Sequence, residues 1–133
     1  MLLVGIAAAC SRGDAAPRGA PVNVRERDFV LTTDAPLVHA GYVTFHVHSA
    51  GPSTHEFIVA RTDVAADALP LQKNDITVDE HSPRIHEVGS LDEVRLGATR
   101  DLTLKLGPGH YVLFCNLSGH YRGGMYSLLT VSG

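Results

Sequence analysis

An alternation constrains this chain more than any other feature. Between Tyr42 and His48, apolar Val43, Phe45 and Val47 take every second position, with Tyr42, Thr44, His46 and His48 in between. A period of two sends successive side chains to opposite faces of an extended strand, whereas a helix needs apolar residues three and four apart. Leu102, Leu104 and Leu106 repeat the pattern against Asp101, Thr103 and Lys105. The same reading places strands near residues 23–32, 36–38, 56–61, 110–116 and 125–132. Turn signals separate them at Ala40-Gly41, Gly51-Pro52 and Gly107-Pro108-Gly109, and 13 Gly with 7 Pro supply the turns a short-stranded chain needs. The expected fold is all-β, a Greek-key sandwich or barrel.

Residues 62–99 break the rhythm. Asp63 to Leu69 reads as a short helix capped by Thr62 or Asp63 and ended by Pro70. Beyond it, Asn74 to Leu91 is polar and poorly periodic and reads as a long irregular excursion across the surface.

At the N-terminus, residues 1–9 (MLLVGIAAA) are apolar and uncharged, and too few to span a bilayer. They read as the end of a secretory signal that lacks its basic start. Ile6-Ala7-Ala8-Ala9-Cys10 also resembles a bacterial lipoprotein box, in which Cys10 is acylated and becomes the first mature residue. Plain secretion stays open beside lipidation, and both cut the chain before Cys10. Residues 10–21 are small, polar and rich in Pro and Gly, hence a flexible linker, and the domain is expected over residues 22–133. The expected location is the periplasmic or extracytoplasmic face of a bacterial membrane. Membrane contact would come only through the lipid on Cys10.

Charge narrows the partners. A formal net charge of −3 without basic clusters gives no footprint for nucleic acid and no polybasic membrane patch. No Ser/His/Asp triad or pair of carboxylates suited to acid–base work stands out. The chain reads as a monomeric carrier or binder and not as an enzyme.

The chemistry concentrates near the C-terminus. The segment Tyr111-Val-Leu-Phe-Cys115-Asn-Leu-Ser-Gly-His120-Tyr-Arg-Gly-Gly-Met125 is an apolar strand delivering a cysteine, then a glycine-containing loop with a histidine and a methionine. Far upstream, His55 stands at the entrance of another strand. Together they offer a thiolate, two imidazoles and a thioether, the donor set expected of blue copper. Zinc suits Cys and His but seldom takes a thioether. A two-copper site needs a second loop cysteine four residues after the first, where Gly119 stands, so the site is expected to be mononuclear.

On these residues the chain resembles the cupredoxin family of type 1 blue copper proteins, which includes plastocyanin, azurin and rusticyanin. Its Cys-x4-His-x4-Met spacing is most like the rusticyanin branch, and the likeness runs from about Val22 to Val131. The resemblance implies one copper ion held by His55, Cys115, His120 and Met125. It implies a carrier of single electrons between a redox donor and acceptor outside the cytoplasm. Copper capture or delivery is the alternative. It also implies that the His120 ring edge reaches the surface inside an apolar patch formed by Leu117, Tyr121 and Pro108. Glu56 follows the first ligand where many members carry Asn or Ser, and an ionised carboxylate there would lower the potential. His46 and His48 share a strand face at a spacing that could grip a metal. His81 and His86 lie in the excursion, where they could cover the copper or meet a partner.

Overall fold

The computed structural model describes residues 17–133. Nine strands follow one another: β1 Ala20–Arg27, β2 Val30–Thr33, β3 Leu37–His39, β4 Gly41–Ser49, β5 His55–Arg61, β6 His86–Val94, β7 Thr99–Leu106, β8 Gly109–Phe114 and β9 Tyr126–Ser132. They form two sheets, ordered β2-β1-β4-β7 and β3-β9-β8-β5-β6. Most neighbours are antiparallel, but β1 runs parallel to β4 and β3 parallel to β9. The chain is all-β, as expected.

The alternating strands face their apolar side inward. Val22 and Val24 of β1 and Val43, Phe45 and Val47 of β4 pack against Phe57, Val59, Leu113, Leu129 and Val131 of the other sheet. Phe45 and Phe57 meet across the two layers with ring centroids 5.4 Å apart. Each such side chain taken out of water contributes roughly 1.5–3 kcal/mol. Strands β5 and β8 do not alternate. Their second face lies under the excursion, where Ile58, Ala60, Val112 and Phe114 pack with Ala66, Leu69, Val78 and Ile85. A strand covered on both sides reads as a continuous apolar run.

Four expectations need correction. The run read as one strand over 23–32 is a hairpin, broken at Asp28-Phe29, where Phe29 takes a left-handed φ of 65°. The expected helix at 63–69 does not form; the segment is turns and bends. The excursion is irregular only to about residue 85, after which β6 pairs with β5. Strand β1 also begins at Ala20, inside the stretch read as linker.

One inward position is out of keeping. Glu26 continues the Val22, Val24 face, is 0% exposed, and neither carboxyl oxygen has a hydrogen-bond partner. Burial pushes its pKa from 4.5 up to about 8. The unfolded chain therefore ionises Glu26 first as pH rises. Stability should fall by about 1.4 kcal/mol per pH unit between those two values, with no contribution below them and the full loss above. Glu26→Gln removes that slope. In urea unfolding of the metal-free protein, the variant's advantage over wild type should widen from pH 4.5 to pH 8; parallel curves would show that Glu26 is not a buried, partnerless acid.

Candidate metal centre

The pairing of β5, β8 and β9 brings the sequence-selected residues to one end of the sandwich. His55 opens β5, Cys115 follows β8 directly, and the loop to β9 carries His120 and Met125. Strands β5 and β8 are antiparallel, with Ile58 opposite Phe114, so the start of one lies beside the end of the other. The loop closes on itself. Cys115 N–H donates to Met125 O at 3.2 Å, Met125 N–H to His120 O at 3.1 Å, and His120 N–H to Leu117 O at 2.8 Å. Gly124 takes a φ of 106°, which a side chain would resist, and a Cβ on Gly123 would lie 2.4 Å from the Phe29 ring.

The donor atoms of His55, Cys115 and His120 lie within 4.8 Å of one another. Metal–sulfur and metal–nitrogen bonds of about 2.3 and 2.0 Å meeting at about 120° set two donors about 3.7 Å apart. Cys115 Sγ and His120 Nδ1 are 3.7 Å apart. His55, Cys115 and Met125 are fully buried, while His120 is partly exposed.

The electrostatics fit a bound cation. Both ring nitrogens of His55 lack a hydrogen bond, a state that costs about 1–3 kcal/mol for a buried polar group. Asp28 Oδ1 lies 3.3 Å from His55 Nε2, outside hydrogen-bond geometry, so Nδ1 is the nitrogen with no polar neighbour of this kind. Burial lowers the His55 pKa against the pull of Asp28, keeping the ring neutral and able to ligate. Burial also raises Asp28, but hydrogen bonds from the Ser53 N–H and hydroxyl outweigh it and keep the carboxylate ionised. Burial pushes the Cys115 thiol up to about 11, although the backbone N–H groups of Leu117 and Glu56 oppose the rise. A bare thiol is thus the resting form, and a metal is what draws out the thiolate. These residues make a candidate type 1 copper site.

Other sequence-selected residues fall elsewhere. Tyr121 is not part of a surface patch: it is buried, its hydroxyl accepting from Leu69 N–H at 2.9 Å and donating to Ala66 O at 2.7 Å. Pro108 lies at the other end of β8, and its carbonyl accepts from Arg61. Leu117 packs partly buried against the core. His86 pairs with Arg61 at the end of β5 away from His55, and His81 is exposed in a turn. Burial and then repulsion from Glu80 raise the Glu56 carboxyl, while the Asn116 N–H bond opposes them. Cys10 lies outside the described residues.

Three contributors carry no sequence motif. Phe29 lays its ring 5.4 Å from that of His120. Asp28 backs His55. Asn116 pins the ligand loop to the excursion, accepting from Val78 N–H at 2.7 Å and donating to Val78 O at 3.1 Å. The only hint of the first two is the interruption of alternation after Glu26.

No protein-family model matches the sequence, and no curated protein matches it. Solved structures do. Dithionite-reduced auracyanin from Roseiflexus castenholzii is similar over 87% of this chain and 100% of its own, at 19% identity and a TM-score of 0.62. Auracyanin A of Chloroflexus aurantiacus, described as a blue copper protein, is similar over 85% and 100%, at 19% and 0.59. Rusticyanin from Thiobacillus ferrooxidans is similar over 86% and 79%, at 16% and 0.58. At such identities the likeness speaks for architecture alone: this chain has the cupredoxin fold.

Proposed function

We propose that this chain is a mononuclear type 1 copper protein that carries single electrons between redox partners outside the cytoplasm. The observation that carries the reading is the convergence of the buried Cys115 sulfur and His55 imidazole with the His120 imidazole at the end of a hydrogen-bonded sheet. Copper bound there supplies a one-electron Cu(II)/Cu(I) couple. The residues' part is to stay still while charge changes. Backbone bonds lock Cys115 to Met125 and Met125 to His120, so the ligands have little room to rearrange. Met125 would offer its thioether to the ion, and the Leu117 and Glu56 N–H groups that bond the Cys115 sulfur would help set the potential. His120 is the one partly exposed member of the donor set and gives electrons their route to a partner.

Burial favours this reading over copper delivery. A handling protein exchanges its ion readily, whereas His55, Cys115 and Met125 are closed off from solvent. Four protein donors leave no position for a substrate, which supports a carrier over an enzyme. The relatives in structure named above as blue copper and auracyanin proteins point the same way. Export rests on the leader ending in Cys10, and labelled lipid should appear on wild type but not on Cys10→Ser; label on both would remove the anchor.

Adding Cu(II) to the domain should produce an intense visible thiolate-to-copper band that Cys115→Ser lacks, and a reversible one-electron couple. Copper bound without that band would overturn the reading. Copper should also protect wild type against unfolding by about 2.7 kcal/mol at a hundredfold excess over its dissociation constant, with far less protection of Cys115→Ser. Phe29→Ala should cost about 1 kcal/mol of stability. It should also speed the attack of added azide on the oxidised site, followed by the shift of the visible band; an unchanged rate would show that Phe29 does not shield His120.

A further inference from the structure

The outer face of the four-stranded sheet carries a second arrangement of imidazoles. Residues His46 and His48 are two apart on β4, so both side chains leave the same face. Each is held by the neighbouring strand β7. His46 Nδ1 lies 2.7 Å from Asp101 Oδ1, and His48 Nδ1 lies 3.0 Å from Thr99 Oγ1. Both contacts follow from the register that sets His46 opposite Asp101 and His48 opposite Thr99. With Nδ1 engaged on each ring, Nε2 is the nitrogen left without a hydrogen bond among the described residues. The two rings line one groove of about 550 Å³, together with Asn23, Arg25 and Asp34.

From this placement we propose that His46 and His48 form a surface binding site for a divalent transition-metal ion, separate from the buried cluster. Two imidazoles suit the ions that favour nitrogen, with copper(II) ahead of nickel(II) and zinc(II) in affinity. Water completes the coordination, as expected for a site with two protein donors in an open groove. The Asp101 carboxylate behind His46 is the outer partner that metal-bound histidines usually have. It fixes the tautomer with the proton on Nδ1 and makes Nε2 a better donor. The nearby charges favour a cation. Asp34 in the wall stays ionised because Asn23 donates to both its oxygens, with the guanidinium of Arg25 in the same wall. Asp101, outside the wall but 2.7 Å from His46 Nδ1, adds a second carboxylate nearby. The neighbouring cross-strand pair makes the contrast: Thr44 and Thr103 simply hydrogen-bond each other at 2.8 Å and present no outward donor pair.

The test loads the chain with one Cu(II) until the visible band saturates, then adds more. Bound copper per chain is counted by equilibrium dialysis, with paramagnetic resonance following the second ion. Wild type should take a second ion with a signal lacking thiolate character. The double variant His46→Asn/His48→Asn should keep the visible band, which reports an intact fold, and lose the second ion. Asp101→Asn should retain it with about tenfold weaker affinity. A single ion in wild type would overturn the proposal, as would a second ion held equally well by the double variant. The two sites fail separately: no visible band, with a resonance signal that depends on His46 and His48, would sink the blue copper reading and leave this one standing.

Discussion

Backbone pairing of β8 with its two neighbours is the constraint on which the rest depends. Residues Phe114 and Cys115 are consecutive, yet one packs beneath the excursion and the other in the sandwich core. A slip of one residue would exchange them, turning the sulfur away from both histidines and the phenyl ring into their midst. Because both faces of β5 and β8 are buried, any such slip exposes or clashes apolar surface on two sides at once. The register is therefore enforced by packing on either side of the sheet, and the position of the donor sulfur is inherited from that enforcement.

The same burial sets up a tension between folding and chemistry. His55 without hydrogen bonds, Cys115 as a high-pKa thiol and Glu26 without a partner are all poor occupants of an apolar interior. For His55 and Cys115 the tension has a resolution, because a bound cation satisfies the imidazole and stabilises the thiolate. Glu26 has none among the described residues, and its charge, if present, would raise the thiol further. The metal end of the sandwich is thus held in shape by the hydrophobic layers below it and by the loop's own hydrogen bonds, since its polar groups add little stability without an ion.

How much of this was legible in the sequence follows from which forces act locally. Strands β4 and β7 were readable because each has one wet and one dry face. Strand β6 was not: Val88, Leu91 and Val94 face the core at a spacing of three, and the bulges in its pairing with β5 disrupt the period of two. The expected helix at 63–69 has suitable residues, but Tyr121, reaching from the ligand loop, takes the Leu69 N–H and gives its proton to the Ala66 carbonyl. That tertiary contact competes with the helical bonds of a segment too short to hold a helix alone. The metal donors were legible because thiol, imidazole and thioether in family order are rare together. Asp28, Phe29 and Asn116 were not, since their role depends on which distant element folding sets beside them.

Strand β4 brings the two metal environments into one comparison. Its inward residues Val43, Phe45 and Val47 insulate the core, while its outward His46 and His48 are half-buried at the groove on the other face. A buried site selects an ion by sulfur, by fixed geometry and by exclusion of solvent. A surface pair of imidazoles has only nitrogen affinity, trimmed by local charge, to select with. The first should therefore hold its ion through changes of redox state, whereas the second should exchange with the surrounding solution. One alternating strand separates the two behaviours, because its period of two keeps the dry face and the ligating face from ever mixing.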